Sequence, residues 1–141
     1  MRVYEAIVKG LEGVGVDAAF GGAGENAASL MIALKHSSKI RPVITRNEQA
    51  ASFMACGYAI YSNRLGFCFA TAGPGAFNLF SGLAVAMSDS YPVLAVTGFS
   101  SLDPLRSRPG ASLTRRAPAS RQCHSIRSLN GWVDCISLVP P

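Results

Sequence analysis

The sequence predicts an α/β protein: a parallel sheet of at least four strands with helices on both of its faces. Helical and strand-like segments alternate regularly over the first hundred residues. The strand-like segments, such as Phe67-Cys68-Phe69, are apolar on both faces, which is typical of parallel strands that helices cover on either side. With 49% apolar and 15% charged residues, the 141-residue chain has enough apolar material for one domain with a core.

The first half of this pattern contains two helices and two strands. Apolar residues at helical spacing predict the first helix, and two glycines end it. A short apolar run predicts the first strand, and a glycine-rich loop follows it. Glu25 in the first turn and Lys35 in the last turn suit the dipole of the second helix. The predicted bounds are 4–14 and 25–35 for the helices and 16–20 and 42–45 for the strands.

The second half repeats the alternation of helix and strand. The predicted bounds are 47–61 and 74–87 for the helices and 65–71 and 92–97 for the strands. Pro74 suits the first turn of its helix, since a helix leaves that amide unpaired. Apolar residues in the same helix are spaced like a stripe that faces the core. They are Phe77, Phe80, Leu83 and Met87.

Charge divides the chain at about residue 101. Residues 1–101 carry seven basic and six acidic side chains, whereas residues 102–141 carry six arginines and two aspartates. The net charge of +5 therefore comes mostly from the second part. It gives no reason to expect that the main body binds nucleic acid. We predict a folded domain over 1–101 and a basic tail over 102–141.

The tail over 102–141 has no sustained helical or alternating period. It contains five of the eight prolines, and Pro104, Pro109 and Pro118 would break any long helix. Two interpretations stay open: a disordered basic tail, or a shifted reading frame or unspliced intron that replaces the continuation of the domain. With either one, the parallel sheet would end on an unpaired edge strand.

Cysteine usage and hydropathy bear on metal binding and location. The four cysteines form no Cys-x-x-Cys pair and are accompanied only by His36 and His124, so we predict no metal site. The N-terminus has charges where a signal peptide needs an apolar run, which predicts a cytoplasmic protein with reduced thiols. The uncharged run Leu65–Ser88 is interrupted by Gly73-Pro74-Gly75, so no membrane span is predicted.

Three predicted loops follow strands and therefore lie at the edge of the sheet where such folds bind ligands. They cover residues 21–24, 46–48 and 72–75. The second loop carries Glu48, a lone carboxylate between a strand end and an apolar helix. Two interpretations of Glu48 stay open. It could form a capping box with Thr45 as the N-cap, or it could exchange a proton with a ligand nitrogen.

The two glycine-rich loops do not match the common phosphate-binding patterns. Residues 73–75 lack the Gly-Lys-Ser/Thr ending of a P-loop, and the loop over 21–24 lacks the G-x-G-x-x-G spacing. Glycines in both loops still allow a ligand to approach the backbone closely. The sequence therefore predicts a ligand site at this edge, but no P-loop or dinucleotide site.

Four motifs, in order, resemble a known family. Gly-Val-Asp-x-x-Phe-Gly-x-x-Gly-Glu spans 15–25, and Arg-x-Glu-Gln-Ala-Ala-x-Phe-Met-Ala-x-Gly-Tyr-Ala spans 46–59. Thr-x-Gly-Pro-Gly-x-x-Asn spans 71–78, and Asp-Ser-x-Pro-Val-Leu-Ala-Val-Thr-Gly spans 89–98. Over residues 3–100 the chain resembles the N-terminal pyrimidine-binding domain of thiamine-diphosphate-dependent enzymes, in particular the acetolactate synthase-like branch.

The resemblance implies that Glu48 is catalytic and binds thiamine diphosphate. In the family, the matching Glu hydrogen-bonds the pyrimidine nitrogen N1′ and favours the tautomer that removes the thiazolium C2 proton. The activated cofactor then attacks a 2-oxo acid such as pyruvate, and carbon dioxide leaves. Gly22, Pro74 and Asn78 match positions around the pyrimidine ring and are expected to bind the cofactor beside Glu48.

The resemblance also implies partners. The family holds the diphosphate through Mg²⁺ in a separate domain marked by Gly-Asp-Gly, a motif that this sequence lacks, and that domain comes from a partner subunit. We therefore expect an incomplete thiamine-diphosphate-binding fold, inactive alone, in a homo- or hetero-oligomer. The implied reaction class is 2-oxo acid decarboxylation or carboligation, catalysed by a lyase or a transferase. The alternatives are a non-catalytic truncated subunit or decoy that associates with a full-length relative, or a pseudogene product.

Overall fold

The computed structural model describes residues 2–98 and 133–139 of the chain. Up to residue 98 the elements follow the predicted order, except that two helices replace the predicted fourth one. The helices are α1 Val3–Gly13, α2 Ala28–His36, α3 Glu48–Ser62, α4 Pro74–Asn78 and α5 Phe80–Ser88, and a 3-10 turn at Glu25–Ala27 precedes α2. The strands are β1 Ala18–Gly21, β2 Arg41–Ile44, β3 Gly66–Ala70, β4 Val93–Gly98 and β5 Val133–Val139.

The strands form one sheet in the order β2-β1-β3-β4-β5. β1 pairs in parallel with both β2 and β3, and β3 pairs in parallel with β4. The predicted α/β fold with four parallel strands is therefore confirmed. Because these strands run in the same direction, the loops that follow β1, β2 and β3 all lie at one edge of the sheet.

Helices cover both faces of the sheet, as predicted, and each face has its own apolar cluster. Strands β1 and β3 contribute alternate residues to the two clusters. This explains why Phe67-Cys68-Phe69 is apolar throughout. One cluster packs α3 and α5 on the sheet through Phe20, Ala51, Ala55, Cys68, Leu79, Ala86 and Ala95, among others. The other packs α1 and α2 through Val8, Leu11, Leu30, Leu34, Phe67, Phe69 and Val96, among others.

The predicted fourth helix differs from the structure in two ways. Its hydrogen-bond pattern breaks at Leu79, whose amide donates to Ala76 O, so that α4 and α5 are separate but nearly continuous. Three of the four apolar residues that were expected to face the core are exposed instead, namely Phe77, Phe80 and Met87, whereas Leu83 is partly buried and packs against the core. Phe80 is 50% exposed and stacks on Phe77, with ring centroids 5.8 Å apart. Small residues, among them Gly82, make the contact with α3, since they allow the two helices to approach closely.

Strand β5 differs from the prediction for the tail. No regular structure was expected over 102–141, yet residues 133–139 pair antiparallel with β4, with Val93 opposite Val139 and Thr97 opposite Cys135. β4 is therefore not the unpaired edge that the sequence analysis expected. The interpretation of residues 102–132 and 140–141 lies outside the described residues.

A polar cluster ties the end of α3 to the start of β1. The Tyr58 hydroxyl donates to Asp17 Oδ1 at 2.5 Å, and Arg64 Nη1 donates to Asp17 Oδ2 at 3.0 Å. Both charged side chains are more than half exposed, so the ion pair itself contributes little to stability. Burial, followed by the hydrogen bond to Asp17, raises the pKa of Tyr58 above its ordinary value.

We expect Tyr58→Phe to lower the free energy of unfolding at pH 7 by about 1 kcal/mol, because one hydrogen bond to a carboxylate is lost. The raised pKa means that the tyrosine stabilises the fold while it is protonated. Its contribution is thus present below about pH 10 and is lost as the pH rises further. Urea unfolding between pH 7 and 11 checks this. The control is Tyr61→Phe, since Tyr61 lies in the same helix and is 93% exposed. A constant difference between wild type and Tyr58→Phe across this range would contradict the prediction.

Two further predictions from the sequence concern membrane spans and the state of the thiols. None of the helices in the described part of the chain is long and apolar enough to cross a membrane. Cys56 and Cys68 are free thiols buried in the core, and burial raises the pKa of both. The buried Cys56 Sγ donates to Gly82 O at 3.2 Å. These two cysteines are therefore core residues.

Candidate functional site

The candidate site lies at the carboxyl edge of the parallel sheet, where β1, β2 and β3 end. β1 ends at Gly21, β2 at Ile44 and β3 at Ala70. The first two loops are joined directly, because the Thr45 amide donates to Gly21 O at 2.8 Å. The fold thus brings together two residues that are 24 positions apart in the sequence.

Glu48 is the first residue of α3, and its carboxylate takes no part in capping that helix. The N-cap is Asn47, whose Oδ1 accepts the Gln49 amide at 2.7 Å. The capping box with Thr45 as the N-cap is therefore wrong. The reason is local: α3 begins two residues later than a Thr45 cap requires, and an asparagine at the new position is one of the best N-cap residues. The start of a 15-residue helix favours the negative charge of Glu48.

The two oxygens of the Glu48 carboxylate have different surroundings. Oε2 accepts a hydrogen bond from Asn78 Nδ2 at 3.0 Å. Oε1 lies beside two buried glycines: a Cβ would be 3.0 Å from Oε1 if added at Gly22 and 3.1 Å if added at Gly75. A side chain at either position would crowd Oε1, so the carboxylate lies here because both residues are glycine.

Thr71 packs between the first and third loops. A Cβ at Gly24 would overlap the Thr71 side chain, including Oγ1 at 2.8 Å, and a Cβ at Gly75 would lie 2.9 Å from Thr71 Cγ2. Both loops therefore need glycine for Thr71 to fit. The sequence analysis placed a ligand site here but did not connect Gly24 with Thr71, since their contact is visible only in the fold.

Gly73 and Pro74 shape the turn into α4. Gly73 has φ +67° and ψ −125°, a conformation that side chains with a Cβ rarely adopt. Pro74 follows as the first residue of α4, as predicted, and is exposed to solvent. Of the four predicted site residues, Gly22, Glu48 and Asn78 come together directly. Pro74 is adjacent in sequence to Gly75, which borders Oε1.

One polar atom at this edge has no partner. Thr45 Oγ1 is buried without a hydrogen bond in the described part of the chain, and Thr45 is three residues before Glu48. A buried hydroxyl is costly to leave unpaired. The unpaired hydroxyl was not predicted from the sequence, where Thr45 was considered only as a candidate N-cap. A carboxylate oxygen without a hydrogen bond from the described residues, two glycines that a ligand can approach closely and a buried unpaired hydroxyl at the same edge fit a flat polar ring with a hydrogen-bonding nitrogen.

The other chemically interesting side chains do not join this site. His36 ends α2 and is exposed. Within residues 2–98 and 133–139, no group of three or more His, Cys, Asp or Glu side chains could hold a metal ion. The groups that the structure brings to the edge include the Glu48 carboxylate, the Asn78 amide, the hydroxyls of Thr45 and Thr71 and backbone groups.

The fold and the site define an α/β domain with a candidate ligand site at the carboxyl edge of a parallel sheet. Residues 1–114 match the family described as the thiamine pyrophosphate enzyme, N-terminal TPP binding domain, where thiamine pyrophosphate and TPP are other names for thiamine diphosphate. The chain belongs to this family. The resemblance predicted from the four motifs is thus confirmed, and the match continues beyond residue 101.

Individual relatives agree with the acetolactate synthase-like branch. The chain is 46% identical over 94 residues, or 67% of its length, to an acetolactate synthase of Mycobacterium bovis. It is 47% identical over 94 residues, again 67% of its length, to a chloroplastic acetolactate synthase of Arabidopsis thaliana. It is 47% identical over 98 residues, or 70% of its length, to a probable acetolactate synthase large subunit of Methanococcus aeolicus. These matches cover 15%, 14% and 16% of the three relatives, respectively, so the chain spans about a sixth or less of their length.

Proposed function

We propose that this domain binds the aminopyrimidine end of thiamine diphosphate, with Glu48 sharing a proton with the ring nitrogen N1′. Gly22 and Gly75 would border the ring, and Asn78 would hold the carboxylate. Pro74 would fix the turn that brings Gly75 to the site. When bound, thiamine diphosphate supplies the electron sink for reactions of 2-oxo acids such as decarboxylation and carboligation.

The observation that carries this proposal is the state of the Glu48 carboxylate. Apart from Glu25 in the 3-10 turn, Glu48 is the only acidic residue in the three edge loops and in the helix residues that directly follow them. Oε1 is free of capping and lies beside two glycines, whose backbone a ligand ring can approach closely. A ring nitrogen that reaches Oε1 would form a charge-assisted hydrogen bond with this partly buried carboxylate.

The diphosphate end of the cofactor needs groups that lie outside this domain. In the described residues no acidic cluster could hold Mg²⁺, and the Gly-Asp-Gly motif does not occur in the sequence. We therefore infer that a second domain holds Mg²⁺ and the diphosphate and completes the site against the exposed Asn78 and Pro74. The substrate would be a 2-oxo acid that reaches the cofactor between the two domains.

An exposed apolar face supports association with such a partner. Phe53 and Met54 of α3 and Phe77 and Phe80 of α4 and α5 are each at least 38% exposed. Large exposed apolar residues on neighbouring helices are typical of surfaces that another chain covers. These helices also carry Glu48 and Asn78, so a partner on this face would lie beside the proposed site.

The proposal is tested by titrating the ¹⁵N-labelled chain with 4-amino-5-hydroxymethyl-2-methylpyrimidine, which carries the ring without the diphosphate. We expect the amide signals of Gly22 and Gly75 to shift. Glu48→Ala should weaken binding by about tenfold or more, because a hydrogen bond to a charged group is lost. Glu48→Gln keeps the shape of the side chain but cannot share a proton with N1′. With a ¹⁵N-labelled ring, it should therefore remove the shift of the N1′ signal that marks protonation.

The matched control is Glu25→Ala. Glu25 is also a glutamate in the first turn of a helical segment at the same edge of the sheet, and it is exposed. This variant should bind the ring as the wild type does. Equal affinity for wild type and Glu48→Ala, or shifts confined to residues outside the edge loops, would show that the proposed function is wrong.

A further inference from the structure

We propose that Asn78 is a positioning residue that gives the two Glu48 oxygens different tasks: it holds Oε2, so that Oε1 alone exchanges the proton with the ligand. This inference rests on the proposed function and deepens it. The resemblance gave Asn78 only a place near the pyrimidine ring. The structure instead pairs Asn78 with the carboxylate, which points to a role that acts through Glu48.

The contact joins two helices that start at the same edge of the sheet. Asn78 is the last residue of α4, and its Nδ2 donates to Oε2 of Glu48, the first residue of α3, at 3.0 Å. An amide nitrogen can only donate, so it satisfies a carboxylate oxygen that carries no proton. A proton on Oε2 would make that oxygen a weaker acceptor for this N–H group, which favours Oε1 as the oxygen that carries a shared proton.

The surroundings of Oε1 agree with this division. Oε1 lies beside Gly22 and Gly75 and accepts no hydrogen bond from the described residues, whereas Oε2 is occupied by the amide. The last torsion of a glutamate side chain is broad and roughly two-fold, so a carboxyl group without a partner turns freely. The Asn78 amide therefore selects one orientation and keeps Oε1 beside the glycines before any ligand binds.

The test compares Asn78→Leu, which keeps the size of the side chain but has no donor, with Asn78→Gln, which keeps the amide. In the ligand-free chain, Asn78→Leu should move the ¹³C signal of the Glu48 carboxyl and Asn78→Gln should move it less. Binding of the aminopyrimidine should become about tenfold weaker in Asn78→Leu, as expected for a lost hydrogen bond in the site, and recover in part in Asn78→Gln. Asn78 is exposed, so neither change removes a core contact.

The matched control is Gln49→Leu, which replaces an exposed amide side chain next to Glu48. It should leave both the carboxyl signal and the binding unchanged. If Asn78→Leu leaves the Glu48 signal in place, or weakens binding without moving it, the positioning role is wrong. If Glu48→Ala weakens binding while Asn78→Leu does not, the proposed function stands and this inference falls. If Glu48→Ala itself binds like the wild type, both fall.

Discussion

Gly66→Ala is expected to lower the free energy of unfolding by about 3 kcal/mol, because α3 and β3 touch there backbone to backbone. Gly66 begins β3 and is buried. A Cβ built on it would overlap the carbonyl oxygen of Ala55 and lie 2.9 Å from the carbonyl carbon. Ala55 is fully buried in the middle of α3, so the helix as a whole would have to move away from the sheet. A loss of this size is a large fraction of the stability of an ordinary domain.

Urea unfolding followed by circular dichroism measures this effect, and α3 itself offers the control. Gly57 lies in the same helix, and a Cβ there would meet no atom within 4 Å. Gly57→Ala should therefore stabilise the protein by about 0.5–1 kcal/mol through helix propensity alone. Equal unfolding midpoints for Gly66→Ala and Gly57→Ala would show that α3 and β3 are not in such close contact.

Gly82→Ala is expected to cost about 2 kcal/mol and to disturb the candidate site as well. A Cβ at Gly82 would lie 2.6 Å from Ser52 Cβ and 2.7 Å from the Ser52 carbonyl carbon. α5 would thus be pushed away from α3. Because α4 and α5 are nearly continuous, the displacement should also weaken the hydrogen bond between Asn78 and Glu48.

Two measurements distinguish the effect of Gly82→Ala on stability from its effect on the site. Urea unfolding gives the loss of stability, and the side-chain amide signals of Asn78 report its hydrogen bond in the folded state. Ser81→Ala changes the neighbouring exposed residue of α5 and should alter neither. A Gly82→Ala variant that unfolds at the wild-type midpoint would contradict the close contact. One that unfolds early with unchanged Asn78 signals would show that α4 does not follow α5.

The fold was predictable from the sequence to the extent that it depends on periodicity. Runs such as Phe67-Cys68-Phe69 are apolar on both faces because both faces are covered, and this pattern is local. The exposure of Phe77 and Phe80 was not predictable, since helical spacing shows which residues share a face but not which face meets the sheet. The face of α5 that packs inward is the one that carries small residues such as Gly82, because they let α5 approach α3. β5 was missed because antiparallel addition to β4 depends on a distant strand, not on a local pattern.

The candidate site was predictable in place but not in detail. The rule for parallel sheets puts the loops around Gly22, Glu48 and Asn78 at one edge, and the four motifs name the family. The difference between Thr45 and Asn47 as the N-cap depends on a shift of two residues in the start of α3, which lies within the error of any prediction from sequence. The pairing of Glu48 with Asn78 spans 30 residues and could be seen only in three dimensions.

Strand β2 forms the outer border of the sheet, and its hydrogen bonds show how that border is protected from aggregation. The amides of Arg41 and Thr45 donate inward to Asp17 O and Gly21 O in the β1 region. Strand alternation therefore turns the nitrogen of Pro42 outward, where an added strand would need an N–H group that proline lacks. The charge of Arg41 next to it adds repulsion between two such borders. The proline and the charge together therefore disfavour pairing of two copies of this domain through β2.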